Sequence, residues 1–191
     1  MGDSLETLAQ AGKAAVNLVV SYSGLAAAEY LYHCFGIPYV CGVPTGTAFS
    51  QMLADALRHA AESGQPESPC TYRGGNGRTV AVIGENITGG SLTAQLAYMG
   101  YDAKLICPLP HAESLLTDGD SDAASEEEIE ALLTEMKPDA VIADPLYRFI
   151  LPNRTKHIGL PHYAFSGRCF ETQMPDLTAD RFDLWLQNQT D

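Results

Sequence analysis

The sequence lacks closely spaced cysteines, and this absence limits the metal chemistry that the chain can support alone. It has five cysteines, and none of them forms a C-x-x-C pair. An odd number without close pairs is untypical of a disulfide framework, a zinc site or a ferredoxin-like cluster. We therefore expect no cofactor on the isolated chain. Cys107 and Cys169 are weak candidates for metal ligands.

Positive charge is also scarce. The chain has 24 acidic against 11 basic residues, a formal net charge of −13, and the acidic excess is concentrated between Glu113 and Glu135. Such a field repels phosphate backbones and anionic lipid, and the cations form no basic stripe. The composition therefore excludes nucleic acid as a partner.

Long apolar runs are missing as well. No stretch approaches the roughly 18 apolar residues that a membrane-spanning helix needs. Residues 1–10 are polar and do not resemble a secretion leader. The sequence predicts a cytoplasmic protein that makes no membrane contact.

The hydrophobic pattern that is present alternates between strands and helices. Strands are predicted at 17–23, 37–43, 79–84, 103–107, 140–143 and 158–165, and helices at 25–35, 47–60, 92–99 and 125–136. Ser125 followed by Glu128 forms a capping box at the last of these helices. This order predicts an α/β fold of Rossmann-like parallel β-α-β units in two lobes.

A stretch rich in Gly, Pro and Ser interrupts this pattern. It predicts a partial first lobe at 1–65, a linker at 66–78 and a second lobe with a C-terminal tail at 79–191. The apolar stripe of the 47–60 helix needs a partner, so we expect it to contact the second lobe or another copy of the chain.

Ligands of open α/β sheets bind where strands end and helices begin, so the loops at these positions supply the candidate binding residues. No catalytic residue can be assigned, because the serines lack a nucleophile elbow and no histidine has metal-ligand spacing. The glycine-rich turn at 84–90 lacks the spacing of a dinucleotide motif. The candidates for cofactor or substrate binding are Ser21, Tyr22, Ser23, Thr45, Gly46, Glu85, Asn86, Thr88, His111, Ser166 and Arg168.

The order of several short segments resembles the nitrogenase component 1 family. That family includes molybdenum-iron protein subunits, cofactor-assembly scaffolds and dark-operative protochlorophyllide reductases. The segments are NLVV (17–20), AAEYL (27–31), FGIPY (35–39), RTVAVIG (78–84), LAYMGYD (96–102), MKPD (136–139) and IGLP (158–161). The resemblance covers the later part of a typical member and does not include the cysteines of the electron-relay cluster.

This resemblance implies Rossmann-like domains with an iron–sulfur or related metallocluster between them in the full assembly. It also implies two partners, an iron–sulfur ATPase that delivers electrons and a second component 1-like subunit or another copy of this chain. In the molybdenum enzyme the cofactor is held by a cysteine and a histidine. Their positions fall on Ser21 and near Ser166 here, with His162 and Cys169 close to the second. Dinitrogen reduction on an iron-molybdenum cofactor is therefore not expected.

The leading hypothesis is a nitrogenase-like oxidoreductase subunit that reduces a substrate, with a metallocluster or the substrate between its lobes. Alone, the chain is expected to be inactive. One alternative is a non-catalytic scaffold for metallocluster or tetrapyrrole assembly. Another is a small-molecule binding module.

Overall fold

A computed structural model describes residues 4–170, 172 and 174–190. The strands are β1 Asn17–Val19, β2 Tyr39–Cys41, β3 Thr79–Ile83, β4 Asp102–Cys107, β5 Ser121–Asp122, β6 Ala140–Ala143 and β7 Lys156–Gly159. The helices are α1 Leu5–Leu8, α2 Leu25–Phe35, α3 Thr47–Ser63, α4 Thr88–Tyr98, α5 Glu126–Met136, α6 Gly167–Phe170 and α7 Asp180–Thr190. Short 3₁₀ turns lie at Ala11–Lys13, Tyr22–Gly24, Pro69–Thr71, Glu113–Leu115 and Pro145–Phe149.

The N-terminal part of the chain is one β-α-β unit followed by α3. β1 and β2 pair in parallel, with Asn17 opposite Tyr39, and α2 connects them. Helix α2 ends at Gly36, which has a left-handed backbone (φ 69°) that glycine adopts without steric cost. Both strands are shorter than the predicted 17–23 and 37–43, because the chain turns at Tyr22–Gly24 and leaves β2 before Pro44.

The second part is a five-stranded parallel sheet in the order β5-β4-β3-β6-β7. Counted within this sheet, the order is the one found in Rossmann folds, in which the first strand lies at the centre. The connections leave β3 in opposite directions, to β4 on one side and to β6 on the other. A crevice therefore forms between the carboxyl ends of β3 and β6.

Helix α4 joins the two parts into one packed body. Its residues from Gly89 to Ala97 are buried, because the sheet covers one side and α3 with the Pro69–Thr71 turn covers the other. A side chain at Gly90 would meet the Cys70 carbonyl oxygen at 2.8 Å, so glycine is required for this close approach. Ile87 and Ala94 share one core cluster with residues of β1, α2, β2 and α3.

Residues 66–78 are held by contacts along most of their length. Glu67 forms backbone hydrogen bonds with Tyr39 and Cys41 on the side of β2 away from β1. Cys70 is completely buried, and Arg73 forms an ion pair with Asp120 at 2.8 Å. Residues 74–78 are exposed. The domain boundaries at 65 and 79 stay a prediction.

Three features of the second part differ from the predicted pattern. Residues 118–122, where no strand is predicted, contain β5, and the strand predicted at 158–165 ends at Gly159. Residues 180–190, predicted as part of a tail, form the amphipathic helix α7, whose Phe182 and Leu186 are buried on the sheet. Among the helices described by the structure, none is long and apolar enough to cross a membrane.

Candidate functional site

A cavity of about 220 Å³ opens at the carboxyl edge of the sheet, between β3 and β6. The loop after β2 and residues 174–177 line it together with loops of the sheet. Most of its wall is apolar, including Val43, Leu92, Ile142, Leu160, Met174 and Leu177. The polar groups on the wall come from Thr45, Thr88, His162 and the exposed Tyr163. Small-molecule sites commonly combine an apolar wall with a few polar groups in this way.

Glu85 organises the loop between β3 and α4. One carboxylate oxygen accepts a hydrogen bond from the Tyr22 amide at 2.6 Å, and the other accepts from the Thr88 amide and hydroxyl, both at 2.9 Å. The side chain is 6 % exposed. This carboxylate therefore caps the N-terminus of α4 and ties it to the turn that follows β1.

The position of Glu85 has a consequence for ligand charge. In dinucleotide-binding Rossmann folds, the pyrophosphate lies at the N-terminus of the helix after the first strand. Here the Glu85 carboxylate already uses the Thr88 amide of that helix. A phosphate brought to the same place would meet a like charge, which supports the prediction that this turn does not bind a dinucleotide.

Asp144, directly after β6, connects three segments. Its Oδ1 accepts from the Leu146 amide at 3.0 Å. Its Oδ2 accepts from the His162 amide at 2.8 Å and the Ser166 hydroxyl at 2.5 Å. Asp144 is 1 % exposed, so its carboxylate has lost its hydrating water. These three hydrogen bonds compensate for that loss. Asp144 thereby fixes the loop that places His162 on the cavity wall.

His162 places an imidazole ring on the wall of this cavity. Its Nδ1 accepts a hydrogen bond from the Ala164 amide at 3.1 Å, so the neutral ring carries its proton on Nε2. Burial lowers the pKa of His162, although the nearby carboxylates of Glu85 and Asp144 act in the opposite direction. In the part of the chain that the structure describes, Nε2 has no hydrogen-bond partner. The ring is thus a neutral donor available to a ligand.

The structure brings most of the predicted binding residues to this edge. Thr45 and Thr88 line the cavity, and Gly46 lies next to Thr45. Glu85 and Ser166 act behind the wall, through Thr88 and Asp144 respectively. Ser21, Tyr22 and Ser23 form the turn that Glu85 binds, and the hydroxyls of Ser21 and Ser23 lie 3.2 Å apart.

Three predicted residues lie elsewhere. His111 binds the Leu109 carbonyl through Nδ1 at 3.0 Å, and the Asn86 amide donates to the Ala112 carbonyl at 3.4 Å, both near the end of β4. The buried Asn86 Oδ1 has no partner among the residues described. Arg168 is exposed on α6, away from the cavity wall.

Asp144 and Tyr163 were not among the candidate residues, and His162 was considered only as a neighbour of the second family ligand position. One signal in the sequence could have identified Asp144. It follows a buried apolar strand and precedes Pro145, a position at which carboxylates often cap the next turn. This signal indicates a cap but not a site, because the site depends on the contacts of Asp144 with segment 162–166.

Three of the five cysteines are buried thiols, and the other two are exposed. Burial raises the pKa of Cys41 to about 11 and that of Cys70 to about 12, and it also raises the pKa of Cys107. Burial in apolar surroundings therefore favours the protonated thiol at these three positions. Cys34 and Cys169 are exposed. Within residues 4–170, 172 and 174–190, no three His, Cys, Asp or Glu side chains are grouped as metal ligands would be.

The chain is thus an α/β protein with a Rossmann-like five-stranded parallel sheet flanked by helices, and with a cavity where Rossmann folds bind ligands. Comparisons with protein-family models, with curated proteins and with solved structures found no match.

Proposed function

We propose that this chain is a cytoplasmic, nitrogenase-like oxidoreductase subunit that binds a small-molecule substrate in the crevice between β3 and β6. An iron–sulfur ATPase partner would deliver the electrons, and a second component 1-like subunit or another copy would complete the assembly. One observation carries the proposal. Two segments that resemble the family, at 78–84 and 158–161, contribute residues to the crevice wall, and a third, at 35–39, enters β2, which is followed by Val43 and Thr45 of the wall.

The wall defines the class of substrate. A volume of about 220 Å³ with mainly apolar lining fits a small and largely apolar molecule. Glu85 disfavours an anion at the N-terminus of α4, while His162 offers an Nε2 donor. We therefore expect a neutral substrate with one hydrogen-bond acceptor, such as a carbonyl or a ring nitrogen, which His162 orients.

The residues at the family's ligand positions support a reaction other than dinitrogen reduction on an iron-molybdenum cofactor. The Ser21 hydroxyl lies 3.2 Å from that of Ser23, and the Ser166 hydroxyl donates to Asp144.

Mass spectrometry of the native protein tests the proposal. The chain is purified from its own source under mild conditions, and the small molecules that it retains are identified. We expect a neutral, largely apolar compound, and we expect its reduction when the protein complex is supplied with reduced viologen as electron donor.

A variant that fills the cavity provides the control. Leu160→Trp replaces a leucine on the wall by a bulky indole, whereas Leu184→Trp makes the same change at a residue that is 57 % exposed on α7. The compound should be absent from the first variant and present in the second. Retention of the same compound by both would contradict binding in this cavity, and binding without reduction would favour a small-molecule binding module.

A further inference from the structure

One edge of the N-terminal sheet is unpaired. β2 is bonded on both sides, to β1 and to Glu67, whereas β1 is bonded only to β2 among the described residues. The backbone stays extended beyond β1, since Ser21 has φ −158° and ψ 150°. The free edge therefore runs from Asn17 to Ser21.

The direction of the existing bonds shows which groups are free. The Asn17 amide donates to the Pro38 carbonyl, and the Val19 carbonyl accepts from the Gly42 amide, so these two residues face β2. Backbone groups alternate in direction along a strand. The amides and carbonyls of Leu18 and Val20 therefore point away from the sheet, toward a possible neighbouring strand.

The side chains on this edge are suited to a protein contact. Leu18 is 42 % exposed and Val20 is 50 % exposed, and both lie on the same face of the strand. Beside them is a groove of about 260 Å³ whose far wall is formed by Ala27, Ala28 and Leu31 of α2. An exposed apolar edge with unused backbone groups is a template for strand addition.

The absence of charged side chains from this groove bears on which partner can bind the β1 edge. The ten residues that line the groove include no charged side chain, although the chain carries a net charge of −13. By contrast, the surface of α5 presents Glu127, Glu130 and Glu135. Two copies of so acidic a chain repel each other at most orientations, but this edge can meet its own copy without opposing carboxylates.

We propose that two copies of this chain associate through their β1 edges, antiparallel about a two-fold axis at Val19. In this register Leu18 faces Val20 of the partner subunit, and each donates and accepts a backbone hydrogen bond. The four exposed Leu and Val side chains form one apolar cluster across the axis. The two small sheets become one continuous sheet.

Sedimentation equilibrium of the full chain over a concentration series tests the proposal. We expect a reversible dimer. Val20→Pro removes an amide that makes no bond inside one chain, and proline is tolerated at such an edge position, so this variant should be a folded monomer. Leu18→Asp should also be monomeric, because it places carboxylates in the apolar cluster.

Leu184→Asp is the matched control, since it alters another exposed leucine, on α7, and should leave the dimer intact. Circular dichroism shows whether each variant is folded. If Val20→Pro is unfolded, the oligomeric state of Leu18→Asp provides the test. A wild-type chain that is monomeric at every concentration, or an oligomer that persists in the folded edge variants, would overturn the proposal. A contact through another surface would respond to neither substitution.

Discussion

At the scale of single residues, Glu85 ties the turn after β1 to the start of α4. Its carboxylate accepts hydrogen bonds from two backbone amides, that of Tyr22, 63 positions earlier in the chain, and that of Thr88, three positions later. Glu85→Ala leaves both amides without this partner, and we expect a loss of about 3 kcal/mol in the free energy of unfolding. Glu85→Gln keeps one carbonyl oxygen and should lose less.

Urea denaturation measures this effect. Glu127→Ala, which removes an exposed carboxylate from α5, is the control and should change stability little. Equal stability of the Glu85→Ala and wild-type proteins would show that the capping contacts contribute nothing.

His162 gives a prediction about pH. Burial lowers its pKa below the ordinary value of 6.5, so just below that pH the unfolded chain binds more protons than the folded chain. The free energy of unfolding should therefore decrease as the pH falls from about 6.5 through the lower folded-state pKa. Above pH 6.5 this contribution is fully present.

His162→Asn keeps an acceptor for the Ala164 amide but does not titrate. Subtracting its stability profile from that of the wild type, by urea denaturation between pH 7.5 and pH 5 or so, isolates the histidine. The difference should change with pH in the direction stated. His33→Asn, on the exposed side of α2, is the control. A flat difference for His162→Asn would mean that this ring is not buried in the neutral form.

At the scale of elements, the loop between β2 and α3 depends on Gly46. Its backbone has φ 66° and ψ 167°, a region that residues with a Cβ rarely adopt, and a Cβ there would lie 2.1 Å from Gln95 Cδ. Gln95 cannot move freely, because it bonds the Phe49 amide and Asp183. Gly46→Ala should therefore cost about 3 kcal/mol or more.

Gly64 is a matched control for this effect. It has a similar φ of 70°, but no atom lies within 4 Å of the position of its Cβ. Gly64→Ala should cost only about 1 kcal/mol, the conformational term alone. If thermal melting shows equal losses for the two variants, the contact with Gln95 is not the cause.

The strands that were predicted from the sequence are those with buried apolar runs. β3, β4 and β6 have nearly continuous apolar patterns, so they were located within one residue at each end. β5 is two polar residues at the edge of the sheet, and its pairing with β4 is fixed by tertiary contacts. The predicted 158–165 strand ends early because Asp144 binds the His162 amide and turns the chain.

The residues of the candidate site also divide into those that local sequence indicates and those that depend on tertiary contacts. Glu85, Thr45 and Thr88 could be predicted because they follow strands whose ends define the carboxyl edge. The roles of Asp144 and His162 depend on a hydrogen bond between residues 18 positions apart. No local pattern in the sequence specifies that contact.

At the scale of the whole molecule, the two parts of the chain are joined by a shared core. Cys70, Ile87, Ala94 and Leu115 belong to the same apolar cluster as β1, β2 and α3. Helix α7 adds a second connection, because Asp183 accepts from the Thr47 amide at 3.1 Å and from Gln95 Nε2 at 2.9 Å. Neither part can lose its packing without exposing α4.

This shared core predicts that the chain unfolds in a single transition, and Leu53 provides the test. Leu53 lies on the buried side of α3 and is 2 % exposed. Leu53→Asp buries a carboxylate without a partner and should cost several kcal/mol, roughly 3 to 5. Amide hydrogen exchange should then become faster in α4 and β3 as well as in α3. Ala54→Asp alters the next residue, which is on the exposed side of α3, and should leave exchange in all three elements unchanged. If the N-terminal part opened by itself, the buried α4 amides would stay protected. Faster exchange confined to residues before 65 would therefore mean that the two parts unfold independently, as separate lobes would.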